Sequence, residues 1–130
     1  MMERIFKSSF ALIKNNKILL LKEKGVSFLK TIGGKPEEGE TEEEALKREV
    51  MEEIGIEIDD IKHFGIFTNK TIGKDADVTI SVYFAKPLGE PIITEDVEEF
   101  VWFGAKDDIS LLSPVGKDII TALIEKRYLK

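Results

Sequence analysis

The order of its elements predicts an α+β or α/β protein, with a mixed β-sheet packed between helices. Three observations carry this. Strand-like apolar runs lie on both sides of one strongly signalled amphipathic helix. A second helix follows the last strand. No repeat, low-complexity tract or linker rich in Pro, Gly or Ser divides the 130 residues, so residues 1–130 are expected to form one domain.

Phe6 to Ile13 and Lys17 to Leu21 are apolar runs around Asn15-Asn16, which reads as a β-hairpin with a tight turn. Gly25 to Pro36 reads as a loop punctuated by Gly33-Gly34 and Pro36. Thr41 to Ile54 is the clearest helix. Thr41 can cap it, Glu44 completes a capping box, and Gly55 supplies the left-handed stop. Ile61 to Thr68 reads as a strand. Asp77 to Phe84 alternates Val78, Ile80, Val82 and Phe84 with Thr79, Ser81 and Tyr83, a half-buried strand. Phe100 to Phe103 is a further strand. Ser113-Pro114 opens a final helix through about Lys126, with Val115, Ile119, Ile120, Leu123 and Ile124 at helical spacing.

Composition excludes several functions. There is no cysteine, so disulfides, thiolate catalysis and cysteine zinc sites are ruled out, and the one histidine, His63, cannot make a multi-histidine metal site. No apolar run is long enough to span a bilayer, and Met1 to Phe10 lacks the features of a signal peptide, so a cytoplasmic protein without a membrane partner is expected. The net charge is −6, and the segment Gly34 to Ile56 carries all of it, with nine acids against three bases. The remainder is neutral and offers no basic face for duplex nucleic acid.

On the helix, Glu49 and Glu53 are four apart and Glu49 and Glu52 three apart, so all three project from one face. Such clustering is unfavourable by a few tenths of a kcal/mol per like-charge pair, roughly. A hard divalent ion would offset it, and Mg2+ takes carboxylates together with waters and phosphates. Ala45, Leu46, Val50 and Ile54 can dock the other face on a sheet. An acidic helix face turned to solvent is the plainer alternative. Gly33-Gly34 ahead of the helix permits close backbone approach to a ligand, although such a pair is more often a simple turn.

Gly34, Glu40, Arg48, Glu49, Val50, Glu52, Glu53, Gly55 and Ile56 meet every fixed position of the pattern G-x5-E-x7-R-E-U-x-E-E-x-G-U, where U is a bulky apolar residue. In this the chain resembles the Nudix hydrolases, with the Nudix box at residues 34–56. The resemblance implies an α/β/α sandwich with the box as loop, helix and loop. It implies hydrolysis of a nucleoside diphosphate linked to a further group. It also implies that Glu49, Glu52 and Glu53 hold Mg2+ or Mn2+, with the backbone carbonyl of Gly33 as a further ligand. Arg48 and Glu40 are expected to pair and orient these glutamates. Glu49 is the favoured general base and Glu53 the bridging ligand. Asp96, Glu98 and Glu99 are candidates for an extra ligand or base. Ile32 stands where many members have Pro, a departure that touches the loop shape.

For the organic part of the substrate, Phe28, Phe67, Tyr83 and Trp102 could stack on a base, and Lys35 could meet a phosphate, although core and solvent roles are the ordinary ones. His63 is expected to be structural, and Asp107-Asp108 to form a helix N-terminal turn. After the box, TNKTIGKDA lacks the marks of the ADP-ribose, dinucleoside polyphosphate and NADH types. The chain therefore looks most like the MutT-like type, which cleaves a (deoxy)nucleoside triphosphate to monophosphate and pyrophosphate. The alternatives are an ADP-ribose or nucleotide-sugar pyrophosphatase, and a non-catalytic nucleotide sensor. The expected partner is a small nucleotide, and the expected state a monomer or homodimer.

Overall fold

The computed structural model describes residues 3–130. The strands are β1 (Glu3–Phe10), β2 (Ile13–Lys14), β3 (Lys17–Glu23), β4 (Ile32–Gly34), β5 (Ile58–Lys70), β6 (Ala76–Pro87) and β7 (Val97–Phe103). The helices are α1 (Glu42–Ile54) and α2 (Pro114–Glu125), with a 3-10 turn at Ile109–Leu111. A mixed four-stranded sheet runs β4-β1-β6-β5, with β1 and β6 parallel and the other neighbours antiparallel. A three-stranded antiparallel sheet runs β2-β3-β7. No helix among the described residues is long and apolar enough to cross a membrane.

The mixed sheet has a core on each face. One gathers Ile5, Val78, Ile80 and Val82 with Val115, Ile119, Ile120 and Leu123 of α2. The other gathers Phe10, Ile32 and Tyr83 with Leu46, Val50 and Ile54 of α1. Expected as half-buried, β6 in fact buries residues of both sets, including Ser81 and Tyr83, because both faces are covered.

The expected hairpin forms only in part. Asn15 and Asn16 have φ of 52° and 63°, the left-handed pair that a two-residue turn requires and Asn tolerates. This turn joins β3 to the two-residue β2 alone. The rest of the first apolar run, Phe6–Phe10, lies in β1 and pairs with β6 and β4. The Gly25–Pro36 segment also differs from a plain loop. Leu29 and Lys30 make isolated bridges to Leu112 and Leu21, and residues 32–34 form β4. Ile32 pairs with Phe10 and is wholly buried, so the Pro expected there by resemblance is replaced by a core residue.

The helices follow their local signals. Thr41 and Glu44 make a reciprocal capping box, and Gly55 closes α1 at φ 68°. Ser113 caps α2, with Pro114 in its first turn.

Candidate active site

Helix α1 buries Ala45, Leu46, Val50 and Ile54 and leaves the glutamate face along a cleft. Arg48 organises that face. Its Nε donates to Glu40 Oε2 at 2.8 Å and its Nη2 to Glu40 Oε1 at 2.9 Å, a bidentate fork. Its Nη1 donates to Glu49 Oε1 at 3.0 Å and lies 3.3 Å from both Glu52 oxygens. Its Nη2 also reaches the Lys35 carbonyl at 3.1 Å. These bonds hold the guanidinium strongly in its charged form, the Glu40 fork foremost. The same fork keeps the Glu40 carboxyl below its ordinary range.

The two glycines have separate steric reasons. Gly33 has φ 144°, and a Cβ there would collide with the Ser8 carbonyl of β1. At Gly34 a Cβ would lie 2.5–2.7 Å from the Glu49 carboxylate. Removing both side chains lets β4 pair with β1 while Glu49 packs over it. The Gly33 N–H donates to Glu53 Oε1 at 2.6 Å, and Glu53 Oε2 lies 3.4 Å from Lys30 Nζ. Burial pushes the Glu53 carboxyl up to about 7, a shift that the Lys30 charge and the Gly33 bond oppose without cancelling. Lys30 also binds Glu23 at 2.9 Å. Burial pulls its ammonium down, but the Glu53 and Glu23 carboxylates outweigh this and hold it above its ordinary value.

Two cavities adjoin. One, of about 400 Å3, is lined by Glu49, Glu52, Glu53, Asp96 and Thr94 among others. The second, of about 300 Å3, has walls from Ile5, Leu20, Phe28, Val78, Ile80 and Ile120. Lys7, Glu23, Lys30, Gly33 and Lys35 line both. The result is one cleft with an acidic end, a lysine neck and an apolar chamber. Lys7 projects from β1 on the same face as Ile5. Burial and the nearby Lys30 and Lys35 charges lower its pKa.

As the side chains stand, no three acidic or histidine groups among the described residues are gathered closely enough to hold a metal ion. Arg48 draws Glu49 and Glu52 one way, and Gly33 and Lys30 draw Glu53 another. The donor chemistry nonetheless suits a hard divalent cation. The acidic cavity holds five carboxylates and three lysines, all its acidic donors are oxygen, and the Glu49 and Glu53 side chains that line it are only 17% and 13% exposed.

Of the residues singled out from the sequence, the cleft brings together Glu49, Glu52, Glu53, Gly33, Lys35, Phe28 and Asp96. Glu40 and Arg48 lie behind the carboxylates as their support. Phe67 and Tyr83 fall outside the cleft. Phe67 stacks on Phe64 at 6.0 Å beside the α2 core, and Tyr83 is buried under the α1 face with His63 edge-on at 5.1 Å. Glu98 is tied to Lys22 at 3.0 Å, and neither it nor Glu99 lines the cleft. Trp102, on β7, is likewise outside. His63 bonds Ser81 Oγ at 2.9 Å, and Asp108 caps the 3-10 turn. Lys7, Glu23, Lys30 and Thr94 escape sequence reasoning as site residues, because isolated polar residues in strands and the segments between them carry no local pattern. Thr94 Oγ1 donates to the Glu53 carbonyl and so ties the segment before β7 to the end of α1.

The chain is similar to several solved structures. A MutT NUDIX hydrolase from Burkholderia pseudomallei superposes with a TM-score of 0.80 at 24% identity, covering 92% of this chain and 97% of that one. A NUDIX hydrolase from Nitrosomonas europaea gives 0.80 at 17%, covering 96% and 91%. A MutT protein from Methanosarcina mazei Go1 gives 0.76 at 18%, covering 96% of each. At these identities the likeness establishes the fold. No curated protein sequence matches the chain. The NUDIX domain model matches residues 6–120, nearly the whole chain and all of the box. With that match, the chain belongs to the Nudix family and is a hydrolase acting on pyrophosphate bonds of nucleoside diphosphate derivatives.

Proposed function

We propose that this hydrolase cleaves a (deoxy)nucleoside triphosphate to the monophosphate and pyrophosphate, with Mg2+ or Mn2+. The observation that carries this reading is the continuity of the cleft: carboxylates, then lysines, then an apolar chamber. A nucleotide has the matching order of phosphates and organic group. Glu49, Glu52 and Glu53 would hold the ion, and Gly33, whose carbonyl would be the further ligand, lines the same cavity. Such an ion supplies charge neutralisation and a more acidic bound water.

The chain's own residues do the rest. Lys7, Lys30 and Lys35 bind phosphate oxygens as point charges. Phe28 and the aliphatic walls exclude water from the organic group. Glu49 accepts the proton of the attacking water on its carboxylate. Arg48, fixed by Glu40, keeps Glu49 and Glu52 oriented. Asp96 is the one downstream acid that lines the cavity and is the reserve ligand or base.

A panel of nucleoside triphosphates, ADP-ribose and nucleotide sugars with Mg2+, read as pyrophosphate or phosphate release, tests this. Pyrophosphate from triphosphates is expected. Turnover of ADP-ribose or a nucleotide sugar alone would overturn the substrate assignment. Tight nucleotide binding with no turnover of any compound would mark a sensor instead.

A further inference from the structure

We propose that Lys30 is a built-in counter-ion of Glu53 that competes with the divalent ion for that carboxylate, and so sets how tightly the site takes its metal. This rests on the metal reading of Glu49, Glu52 and Glu53 above and adds what regulates it.

Two cations serve the carboxylate cluster. Arg48 reaches Glu49 and Glu52, and its fork on Glu40 and its bond to the Lys35 carbonyl fix it in place. Glu53 has Lys30 instead. Lys30 Nζ lies 3.4 Å from Glu53 Oε2, while Glu53 Oε1 accepts from Gly33 N–H. Both side chains are largely withdrawn from water, Lys30 at 25% exposure and Glu53 at 13%. Solvent and salt screen such a pair less than a surface pair. A cation approaching Glu53 Oε2 meets this ammonium and must displace it.

The surroundings of Lys30 allow that displacement. Its backbone is fixed, with its N–H donating to the Leu21 carbonyl at 3.0 Å and its carbonyl accepting from Leu21 N–H at 2.9 Å. The flexible stem is therefore the part free to move. Glu23 Oε1 holds Nζ more closely than Glu53 does, at 2.9 Å. Glu23 thus keeps the ammonium from settling wholly on Glu53 and retains it when Glu53 is given up. An ammonium has three N–H donors. The one released from Glu53 is then available to a phosphate oxygen, in keeping with the phosphate role of Lys30.

Calorimetric titration of Mg2+ into the full chain, at alkaline pH so that protons do not compete, tests this in wild type, Lys30→Met, Lys35→Met and Glu53→Gln. Lys35 lines the same cavity but pairs with no carboxylate among the described residues, so it reports the effect of a lysine charge alone. Lys30→Met is expected to bind Mg2+ roughly fivefold or more tightly than wild type, and Lys35→Met within about twofold of it. Lys30→Met binding no tighter than wild type, or no tighter than Lys35→Met, would overturn the inference. Zero-length carbodiimide cross-linking of wild type checks the pair without a variant. A Lys30–Glu53 amide should form and be suppressed by saturating Mg2+, while the amide from the Lys22–Glu98 pair, at 3.0 Å, stays constant. A Lys30–Glu53 yield that Mg2+ leaves unchanged, or no such amide where Lys22–Glu98 forms, would also overturn it. Mg2+ binding of wild-type strength in Glu53→Gln would sink the metal-site assignment itself. Binding weakened in Glu53→Gln but unmoved in Lys30→Met would sink this inference alone.

Discussion

The Glu49 carboxylate occupies the space that a side chain on Gly34 would need, since a Cβ there would come within 2.5 Å of Glu49 Cδ. A strand residue and a helix residue fifteen positions apart are thus fitted to each other. Gly34→Ala should push Glu49 off its position while leaving the α1 core intact. The expected result is a fall in kcat of about tenfold or more with a normal circular dichroism spectrum. Unchanged kcat would show that the packing of Glu49 on Gly34 is irrelevant to turnover.

Glu53→Gln should abolish turnover, a loss of several kcal/mol of transition-state stabilisation by order of magnitude. Because burial already opposes its charge, the metal-free variant should melt no lower than wild type. Steady-state kinetics and thermal melts in EDTA check both halves. Wild-type turnover would refute the site assignment.

Arg48→Lys keeps a charge but cannot reproduce the fork on Glu40 together with the bond to Glu49. Activity should drop roughly tenfold or more, and Tm should also fall. A lysine variant matching wild type in both would mean that charge, not fork geometry, is what matters at this position.

Mg2+ or Mn2+ should raise the Tm of wild type, since a ligand of the folded state alone stabilises it by mass action. The double variant Glu49→Gln/Glu53→Gln should respond far less. An equal rise in both proteins would remove these residues from the metal site.

Lys7→Met should stabilise the substrate-free protein and raise KM, because Lys7 is half-buried beside Lys30 and Lys35. The pH dependence has a definite sign. Its folded pKa lies below the ordinary 10.5, so between those two values the unfolded chain binds the extra proton. The penalty on wild type is therefore full at neutral pH and fades as pH rises toward 10.5. Paired melts of wild type and variant from neutral to alkaline pH should show the gap closing. A gap that widens would contradict it.

The sequence by itself determined α1 and the residues on each of its faces. Helical spacing, the Thr41–Glu44 box and the Gly55 stop are all local, so Glu49, Glu52 and Glu53 could be placed together without coordinates. The same holds for α2 and for the turn at Asn15-Asn16. Tertiary structure alone decided which strands meet. An apolar run such as Phe6–Phe10 satisfies its backbone as well in a hairpin as in a parallel pair, and burial on both faces selected the latter. It also decided the company of the carboxylates. Lys7, Lys30 and Glu23 come from β1, the bridge before β4, and β3, and they converge because those segments pair through space. Tyr83 was sent to the core and Phe67 to its edge for the same reason, since the face a strand residue presents depends on its register, a long-range property that composition does not encode.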